Sequence, residues 1–351
     1  MITCCALFFS QQFHILASDK LYVGGDSIGI EARYDGVLVT GTYTFELNGV
    51  MYDPSKTIHI NDKILAIDHQ KIHTLQDMYD VLNSYQSNVN TLSITIERDG
   101  KQLDTTIQTV YDEKQHAFKS GLYVKDRIVG IGTITYYDPV SKTYGALGHE
   151  ITDQDTQEMA NISNGNIYPA SITSIQKAKT TSAGEKHASI DYTISLGRIQ
   201  KNTPIGIYGA YDILPKNAQQ ISWASIEEVH LGKATMYTVV EGQTIQQYEI
   251  EITSLQPQSS MDIKGITFKV TDTSLLEVSN GIVQGMSGSP IIQDGKLIGA
   301  VTHVVTSNPS MGYGVYIQWM LEQSRQEFST KNSSKLLLFF YFSSMILYFC
   351  G

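Results

Sequence analysis

The sequence predicts a mainly β protein made of two domains of unequal size. Its 351 residues exceed what a single hydrophobic core usually organises, which favours two cores. Short runs of alternating apolar and polar residues recur between turn signals, as is typical of β-strands. Helical spacing is confined to two stretches, one in each domain. We expect the first domain at residues 20–112 and the second at residues 113–330.

The composition and the charge exclude several classes of protein. Hydrophobic residues make up 42% and charged residues 17%, which is typical of a folded chain and not of a disordered one. The net charge is −10 and no run of Lys or Arg occurs, so we expect no nucleic-acid partner. All three cysteines lie near the ends, at Cys4, Cys5 and Cys350, which excludes a disulfide framework or a cysteine zinc site in the body. No cofactor is expected.

Apolar segments occur at both ends of the sequence. Residues 1–19 hold two short apolar pieces with no basic region before them, which makes a weak signal peptide or anchor. The tail, residues 331–351, contains about 16 mostly apolar residues, slightly fewer than the ~20 that a straight membrane-spanning helix needs. Contact with a membrane through one terminus and an apolar extension without such a role both remain open.

The first domain combines short strands with one amphipathic helix. Apolar residues recur at helical spacing, at Leu75, Met78, Tyr79 and Leu82. Thr74 is placed to act as the N-cap of this helix, and Asp77 stands at its third position. Asp99 and Gly100 mark the turn of a hairpin. The domain is therefore expected to be a small sheet covered by a single helix.

Residues 20–112 resemble a PDZ domain, in which strands and one such helix follow a similar order. In that family a loop of apolar, Gly and apolar residues donates backbone N–H groups to the C-terminal carboxylate of a peptide, which adds as a strand beside the helix. Ile28, Gly29 and Ile30 match this loop, so the resemblance implies that they bind the C-terminus or an internal segment of a polypeptide. Alternatively, the two isoleucines pack in the core, as apolar strand residues usually do.

The strongest local signal in the second domain is the segment Gly285-Met286-Ser287-Gly288-Ser289-Pro290. A tight turn of small residues exposes a serine hydroxyl, and the N–H groups of such a turn can point at a developing oxyanion. Chymotrypsin-like peptidases carry the similar text Gly-x-Ser-Gly-Gly-Pro. We therefore expect Ser287 to be a nucleophile, with the N–H groups of Gly285 and Ser287 as oxyanion donors. A Gly-Ser turn within a hairpin is the alternative.

A serine nucleophile needs a base that accepts its proton, and nine histidines are candidates. His149 lies in GALGHEITD, where small residues before it let the backbone pack closely and the ring face a cleft. His303 is the alternative base, or a residue of the substrate channel wall. A metal site of His149 with Glu150 and Asp153 is disfavoured, because HEITD lacks the second histidine of a HExxH helix. We expect no metal.

Four segments of the second domain resemble the SpoIVB peptidase family: GALGHEITDQDT, GRIQKNTPIGIYG, ITFKVTD and GIVQGMSGSPIIQDGKLIGAVTHV. This family pairs a PDZ domain with a chymotrypsin-like domain, so the resemblance implies a double β-barrel. It also implies that Ser287 is the nucleophile, His149 the base and Asp272 the acid that orients the base. Asp191 competes with Asp272, because the acid of two-barrel peptidases usually lies nearer the histidine in sequence.

The resemblance implies a function as well. Members of the family are exported from the forespore into the intermembrane space, cleave a membrane-bound regulator and themselves, and so release the processing of a pro-sigma factor. We therefore expect a serine endopeptidase with a protein substrate. Two alternatives remain: a catalytically silent scaffold that holds membrane proteins through its PDZ domain, and a general quality-control peptidase, although those usually carry the PDZ domain after the protease.

Overall fold

The computed structural model describes residues 18–47, 49–85, 87–215 and 218–325. The two apolar terminal segments that the sequence suggests as membrane contacts lie almost wholly outside these ranges. None of the helices within the ranges is long and apolar enough to cross a membrane. Strands dominate the described residues, and the predicted fold class is confirmed: mainly β, with a PDZ-like unit before a peptidase domain that contains a closed barrel.

The secondary-structure elements fall into three groups of strands and a few helices. The first strands are β1 (Lys20–Val23), β2 (Ser27–Thr42), β3 (Phe45–Leu47), β4 (Val50–Tyr52), β5 (Lys63–Ile67), β6 (Gln70–Lys71), β7 (Val89–Arg98), β8 (Lys101–Asp112) and β9 (Ala117–Lys119). The next are β10 (Leu122–Asp138), β11 (Thr143–Ala146), β12 (Asn164–Gln176), β13 (Glu185–Ile190), β14 (Gly197–Ile199), β15 (Lys201–Thr203), β16 (Gly206–Ala210) and β17 (Gln220–Ser222). The last are β18 (Gly232–Val239), β19 (Ile245–Leu255), β20 (Ile266–Val270), β21 (Pro290–Gln293), β22 (Lys296–Val304) and β23 (Met311–Tyr316). The helices are α1 (Leu75–Asn83), α2 (Thr273–Ser279) and α3, described over residues 317–325, with 3₁₀ turns at Pro54–Lys56 and Ile226–Glu228.

The PDZ-like unit is a small sheet covered by α1. The helix buries Met78, Val81 and Leu82 in a core that it shares with β2, β5, β7 and β8. Its N-terminus is the predicted one: the Thr74 hydroxyl accepts from the N–H of Asp77 at 3.1 Å, and the Asp77 carboxylate accepts from the N–H of Thr74 at 2.9 Å. This capping box satisfies backbone donors that the first turn leaves unpaired.

Strand β2 belongs to two cores, and this corrects one prediction. Its first half pairs with β10 on one side and β12 on the other, with Gly29 opposite Ile131 and Tyr168. Ile28 and Ile30 are only 0% and 4% exposed. A strand with partners on both edges has no backbone groups left for a peptide, so the prediction that Ile28, Gly29 and Ile30 bind a PDZ ligand is wrong. The core-packing alternative is confirmed.

Strand β2 also shows that the first domain begins later than predicted. Residues 28–34 of β2 pack with β10, β11 and β12 in the core of the peptidase, and the PDZ-like core begins at Val37. β1 also pairs with peptidase strands, β10 and β17. The predicted start at residue 20 is therefore too early, because the first strands of the sequence complete the second domain.

The peptidase consists of an open sheet and a closed barrel. Over the described ranges the sheet has 15 strands and runs without interruption from the PDZ-like unit into the first half of the peptidase, through β2 and β10. The barrel closes in the order β18, β19, β20, β23, β22 and β21, and α3 packs Met320 and Leu321 into its core. The loop that carries Ser287 leads into the barrel strand β21, and His149 follows β11 of the open sheet.

Candidate active site

The segment predicted to carry the nucleophile forms a tight loop between α2 and β21. Gly288 has a φ of 91°, and a Cβ at this position would lie 2.0 Å from the carbonyl oxygen of Thr133. Only glycine combines this backbone conformation with so close a neighbour. The loop is therefore pressed directly against β10, and Ser287 is presented at the junction of the sheet and the barrel.

Hydrogen bonds from β10 hold the carbonyl groups of this loop. The N–H of Thr133 donates to the carbonyl of Ser287 at 2.9 Å, and the Thr133 hydroxyl donates to the carbonyl of Gly285 at 2.9 Å. The Thr135 hydroxyl donates to the carbonyl of Gly288 at 2.8 Å. Across the described residues, the N–H groups of Gly285 and Ser287 have no hydrogen-bond partner. These two donors are thus left available for a negatively charged oxygen.

His149 is held by its own backbone. Its Nδ1 lies 2.7 Å from the carbonyl oxygen of Glu150. A carbonyl oxygen can only accept a hydrogen bond, so this contact assigns the proton to Nδ1 and leaves Nε2 unprotonated. Burial lowers the pKa of His149 and outweighs the opposite effect of the Glu150 carbonyl and carboxylate. The ring is consequently neutral near pH 7 and able to accept a proton.

A cleft of about 730 Å³ brings these groups together. It is lined by Gly285, Ser287, His149 and His303, with residues 127–131 of β10 on one wall and residues 302–304 of β22 on another. The hydroxyl of Ser287 donates to the carbonyl oxygen of Thr302 at 2.9 Å. In this conformation the serine proton is therefore held by β22 and not by a histidine.

His303 lies beside His149, with ring centroids 5.0 Å apart. The pKa of His303 is lowered to about 4, first by burial and then by electrostatic interaction with His149 and Lys264. Its Nδ1 is buried and has no hydrogen-bond partner among the described residues. Nδ1 of His149, by contrast, is fixed by the Glu150 carbonyl, so its ring is held in one tautomer with Nε2 free to accept a proton, which favours His149 as the base. The alternative prediction that His303 lines the cleft agrees with its position.

The two carboxylates predicted as candidates for orienting His149, Asp272 and Asp191, lie outside the cleft. Asp272 is the N-cap of α2, where Oδ1 accepts from the N–H groups of Ser274 and Leu275 at 2.9 and 3.1 Å. Asp191 is exposed and bonds the N–H and hydroxyl of Thr193. Neither carboxylate lines the cleft or contacts His149 through any hydrogen bond of the described residues. That Asp272 orients His149 stays a prediction, and these contacts do not support it.

Lys186 is a buried cation that the sequence did not point to. It is 0% exposed, and Nζ donates to the hydroxyls of Thr238 at 2.8 Å and Ser27 at 3.3 Å. Its side chain packs beneath Gly285, and burial lowers its pKa to about 7. The signal that could have revealed it is its position in β13. Side chains alternate between the two faces of a strand, and Lys186 lies between two exposed residues, so it faces inward.

Comparisons with known proteins agree with this architecture. The model of the SpoIVB peptidase S55 family matches residues 116–321, and that of the PDZ domain matches residues 46–109. The family match covers more than half of the chain. The chain belongs to the SpoIVB peptidase S55 family. It is therefore a serine peptidase with a PDZ domain, as the sequence predicted.

Solved structures resemble parts of this S55 peptidase at low identity. The PDZ domain of an SdrC-like protein from Listeria monocytogenes shares 21% identity over 26% of this chain and 88% of that chain, with a TM-score of 0.21. The Rv3671c protease from M. tuberculosis in its active form shares 16% identity over 54% of this chain and 70% of that chain, with a TM-score of 0.31. The inactive form of the same protease shares 14% identity over 56% of this chain and 85% of that chain, also with a TM-score of 0.31. A search of curated proteins finds no match.

Proposed function

We propose that the protein is an endopeptidase that works through an acyl-enzyme, with Ser287 as nucleophile and His149 as base. Nε2 of His149 takes the proton of the serine hydroxyl during attack and later donates it to the leaving amine. The N–H groups of Gly285 and Ser287 hold the oxyanion. One observation carries the proposal: a single cleft joins a glycine-dependent serine loop, with two N–H groups that have no partner among the described residues, to a histidine whose Nε2 is unprotonated.

The described conformation is a resting state in this scheme. The Ser287 proton is bonded to the carbonyl of Thr302, and one proton cannot serve Thr302 and His149 at the same time. Rotation of the hydroxyl toward Nε2 of His149 therefore precedes attack. The proton of His149 stays on Nδ1, which donates to the Glu150 carbonyl throughout, and this keeps the required tautomer. Orientation of the base thus comes from the backbone, and a carboxylate near His149 is not required for it.

The proposed substrate is a membrane-associated regulatory protein, together with the peptidase itself. Membership of the S55 family supports this proposal, as does the presence of a PDZ domain, a kind of domain that binds extended peptides. We place its action after export from the forespore, where cleavage of the regulator releases processing of a pro-sigma factor. The PDZ domain would recruit either the regulator or a segment of the peptidase.

A fluorophosphonate probe tests the chemistry on the full-length protein. The parent is expected to be labelled, Ser287→Ala to stay unlabelled, and His149→Ala to be labelled at least about 1,000-fold more slowly. Ser289→Ala is the matched control, because Ser289 lies in the same loop and its buried hydroxyl has no partner among the described residues. Self-cleavage followed on a gel should follow the same order. A parent protein that resists the probe would favour the silent scaffold.

A further inference from the structure

Among the described residues, one edge of β10 is open between the PDZ-like unit and the nucleophile loop, residues 285–290. Residues 122–133 pair with β2 on one side. Within the described ranges no strand pairs with the other edge of residues 122–132, and their backbone groups make no further hydrogen bond there. At Thr133 the N–H donates to Ser287, and from Ile134 onward β10 pairs with β11. The open edge therefore ends at the nucleophile.

The end of this edge nearest Ser287 is a wall of the cleft. Residues 127–131 line it, and Val129 is 49% exposed. Unpaired N–H and C=O groups along an exposed strand are a template on which another extended segment can pair. Folded proteins usually cover or shorten such edges, so an open edge that runs into a catalytic cleft is suited to binding an extended polypeptide.

The other end of the edge lies beside helix α1. The N–H of Leu75, the first residue of α1, donates to the carboxylate of Asp126 in β10 at 3.0 Å. Leu75 and Tyr79 lie one turn apart on α1 and are 36% and 60% exposed, and Tyr123 of β10 is 58% exposed. An apolar helix face thus flanks a strand edge, the arrangement in which a PDZ domain binds a peptide. The strand beside α1 is β10, not the segment of Ile28.

We propose that the open edge of β10 binds an extended segment of the protein substrate from Ser287 to α1, as one added antiparallel strand. The proposal rests on the endopeptidase function above. All strand pairs of β10 are antiparallel, and antiparallel pairing is the slightly more stable kind. Because β10 runs from α1 toward Ser287, an antiparallel substrate runs from Ser287 toward α1. The part of the substrate C-terminal to the scissile bond therefore occupies the PDZ side.

The register of the strand sets a length for this segment. Thr133 touches the Ser287 loop, Asp126 touches α1, and β10 begins at Leu122. Residues of two paired strands match one to one, so roughly 7 to 11 substrate residues separate the scissile bond from the part held by α1. Recognition along the edge is mainly through backbone groups, and apolar substrate side chains are expected next to the exposed apolar residues that flank it, Leu75, Tyr79, Tyr123 and Val129. The position of the cut would then depend more on the number of residues between the scissile bond and α1 than on the identity of the side chains.

Tethered peptides test this arrangement in the full-length protein. The native cysteines are first replaced by Ser, at Cys4, Cys5 and Cys350. A single Cys is then introduced on α1 by Tyr79→Cys, or at a control position by Leu231→Cys. Leu231 is 60% exposed and lies outside β10 and α1. A mixture of unstructured β-casein segments of about 20 residues, each with a C-terminal Cys, is joined to either position by a disulfide. Tethering supplies an effective peptide concentration in the millimolar range at both positions. Cleavage is followed by mass spectrometry.

Peptides tethered at position 79 are expected to be cut at least about tenfold faster than those at position 231, roughly 7 to 11 residues before the tethered Cys. The same segments with an N-terminal Cys should show no such advantage. Three results would each overturn the proposal. They are equal cleavage rates at positions 79 and 231, cuts spread evenly along the peptides, and N-terminally tethered peptides that are cut as fast as C-terminally tethered ones. Fluorophosphonate labelling of each variant distinguishes failure of the proposed function from failure of the binding proposal. A parent protein that is not labelled refutes the peptidase function itself. Variants that are labelled but cleave peptides equally well from either tether position refute only the binding of substrate along β10.

Discussion

The two proposed catalytic groups come from regions that are built differently. Ser287 precedes a strand of the closed barrel, in which every strand has two neighbours. His149 follows β11 of a sheet whose central strand β10 has, among the described residues, no second partner along residues 122–132. Thr133 and Thr135 of β10 connect the two regions by bonding the carbonyls of the nucleophile loop. The geometry of the proposed active site therefore depends on the junction between sheet and barrel, and substitutions at this junction should do more harm than equivalent ones inside either region.

The largest effect is expected from Gly288→Ala. A methyl group 2.0 Å from the Thr133 carbonyl must push β10 away from the loop, so we expect labelling at least about 100-fold slower and a loss of several kcal/mol of unfolding free energy. Gly295→Ala is the matched control, because Gly295 also has a positive φ of 75° but no atom of the described residues lies within 4 Å of its Cβ position. This control should cost only about 1–2 kcal/mol and keep its labelling rate. Equal effects of the two substitutions would refute the close junction.

A second effect concerns Lys186, which is buried beneath the loop. Its pKa is about 7 in the folded protein and close to 10.5 when unfolded, so between these pH values the unfolded state binds more protons. The free energy of unfolding should therefore rise as the pH increases from about 7 to about 10, by several kcal/mol at roughly 1.4 kcal/mol per pKa unit. Lys186→Met should remove this dependence and be more stable than the parent at pH 7. Urea unfolding across this pH range measures both, and parallel curves for parent and variant would contradict the prediction.

A smaller effect is expected from the threonine that bridges the two regions. Thr133→Val leaves the carbonyl of Gly285 without its buried donor, which should cost about 1–3 kcal/mol and slow labelling roughly tenfold. Thr133→Ser keeps the hydroxyl and should label almost as fast as the parent. The urea midpoint and the labelling rate are measured together. If the Val and Ser variants behave alike, the hydroxyl does not position the loop.

The smallest effect is expected at Asp272. Asp272→Ala removes the N-cap of α2 and should lower the unfolding free energy by about 1 kcal/mol, whereas Asp272→Asn keeps a good cap and should cost only a few tenths. Both variants should be labelled within about threefold of the parent, because the Nδ1 proton of His149 is held by Glu150. A loss of labelling by several orders of magnitude in Asp272→Asn, at unchanged stability, would instead identify Asp272 as the orienting acid.

Local signals predicted the local features of this protein. The capping box of α1, the hairpin turn at Asp99 and Gly100, and the tight loop around Ser287 are all determined by residues close together in sequence, and the structure has each of them. The family and the mainly β class could be predicted as well, since they rest on long motifs and on strand periodicity.

Features that depend on distant partners could not be predicted in this way. The pattern of Ile28, Gly29 and Ile30 suits a peptide-binding loop and a buried strand equally, and the choice is made by β10 and β12, about 100 residues or more away. Asp272 is followed by Thr273 and Ser274 at a helix start, so its sequence context fits an N-cap as well as a catalytic acid. Lys186 differs from an ordinary surface lysine only because Thr238 and Gly285 enclose it in the fold.

Strand β2 limits how this protein can be taken apart or recombined. Its 16 residues supply Ile28 and Ile30 to the peptidase core and Val37 and Val39 to the PDZ-like core in one unbroken segment. Removing everything before residue 113 would strip the peptidase of β1 and β2 and leave β10 and β12 without the strand between them. The PDZ-like unit is thus an insertion carried by the enzyme and not a detachable module. Exchange of PDZ domains among proteases of this design would have to occur within β2, at a point that preserves both cores.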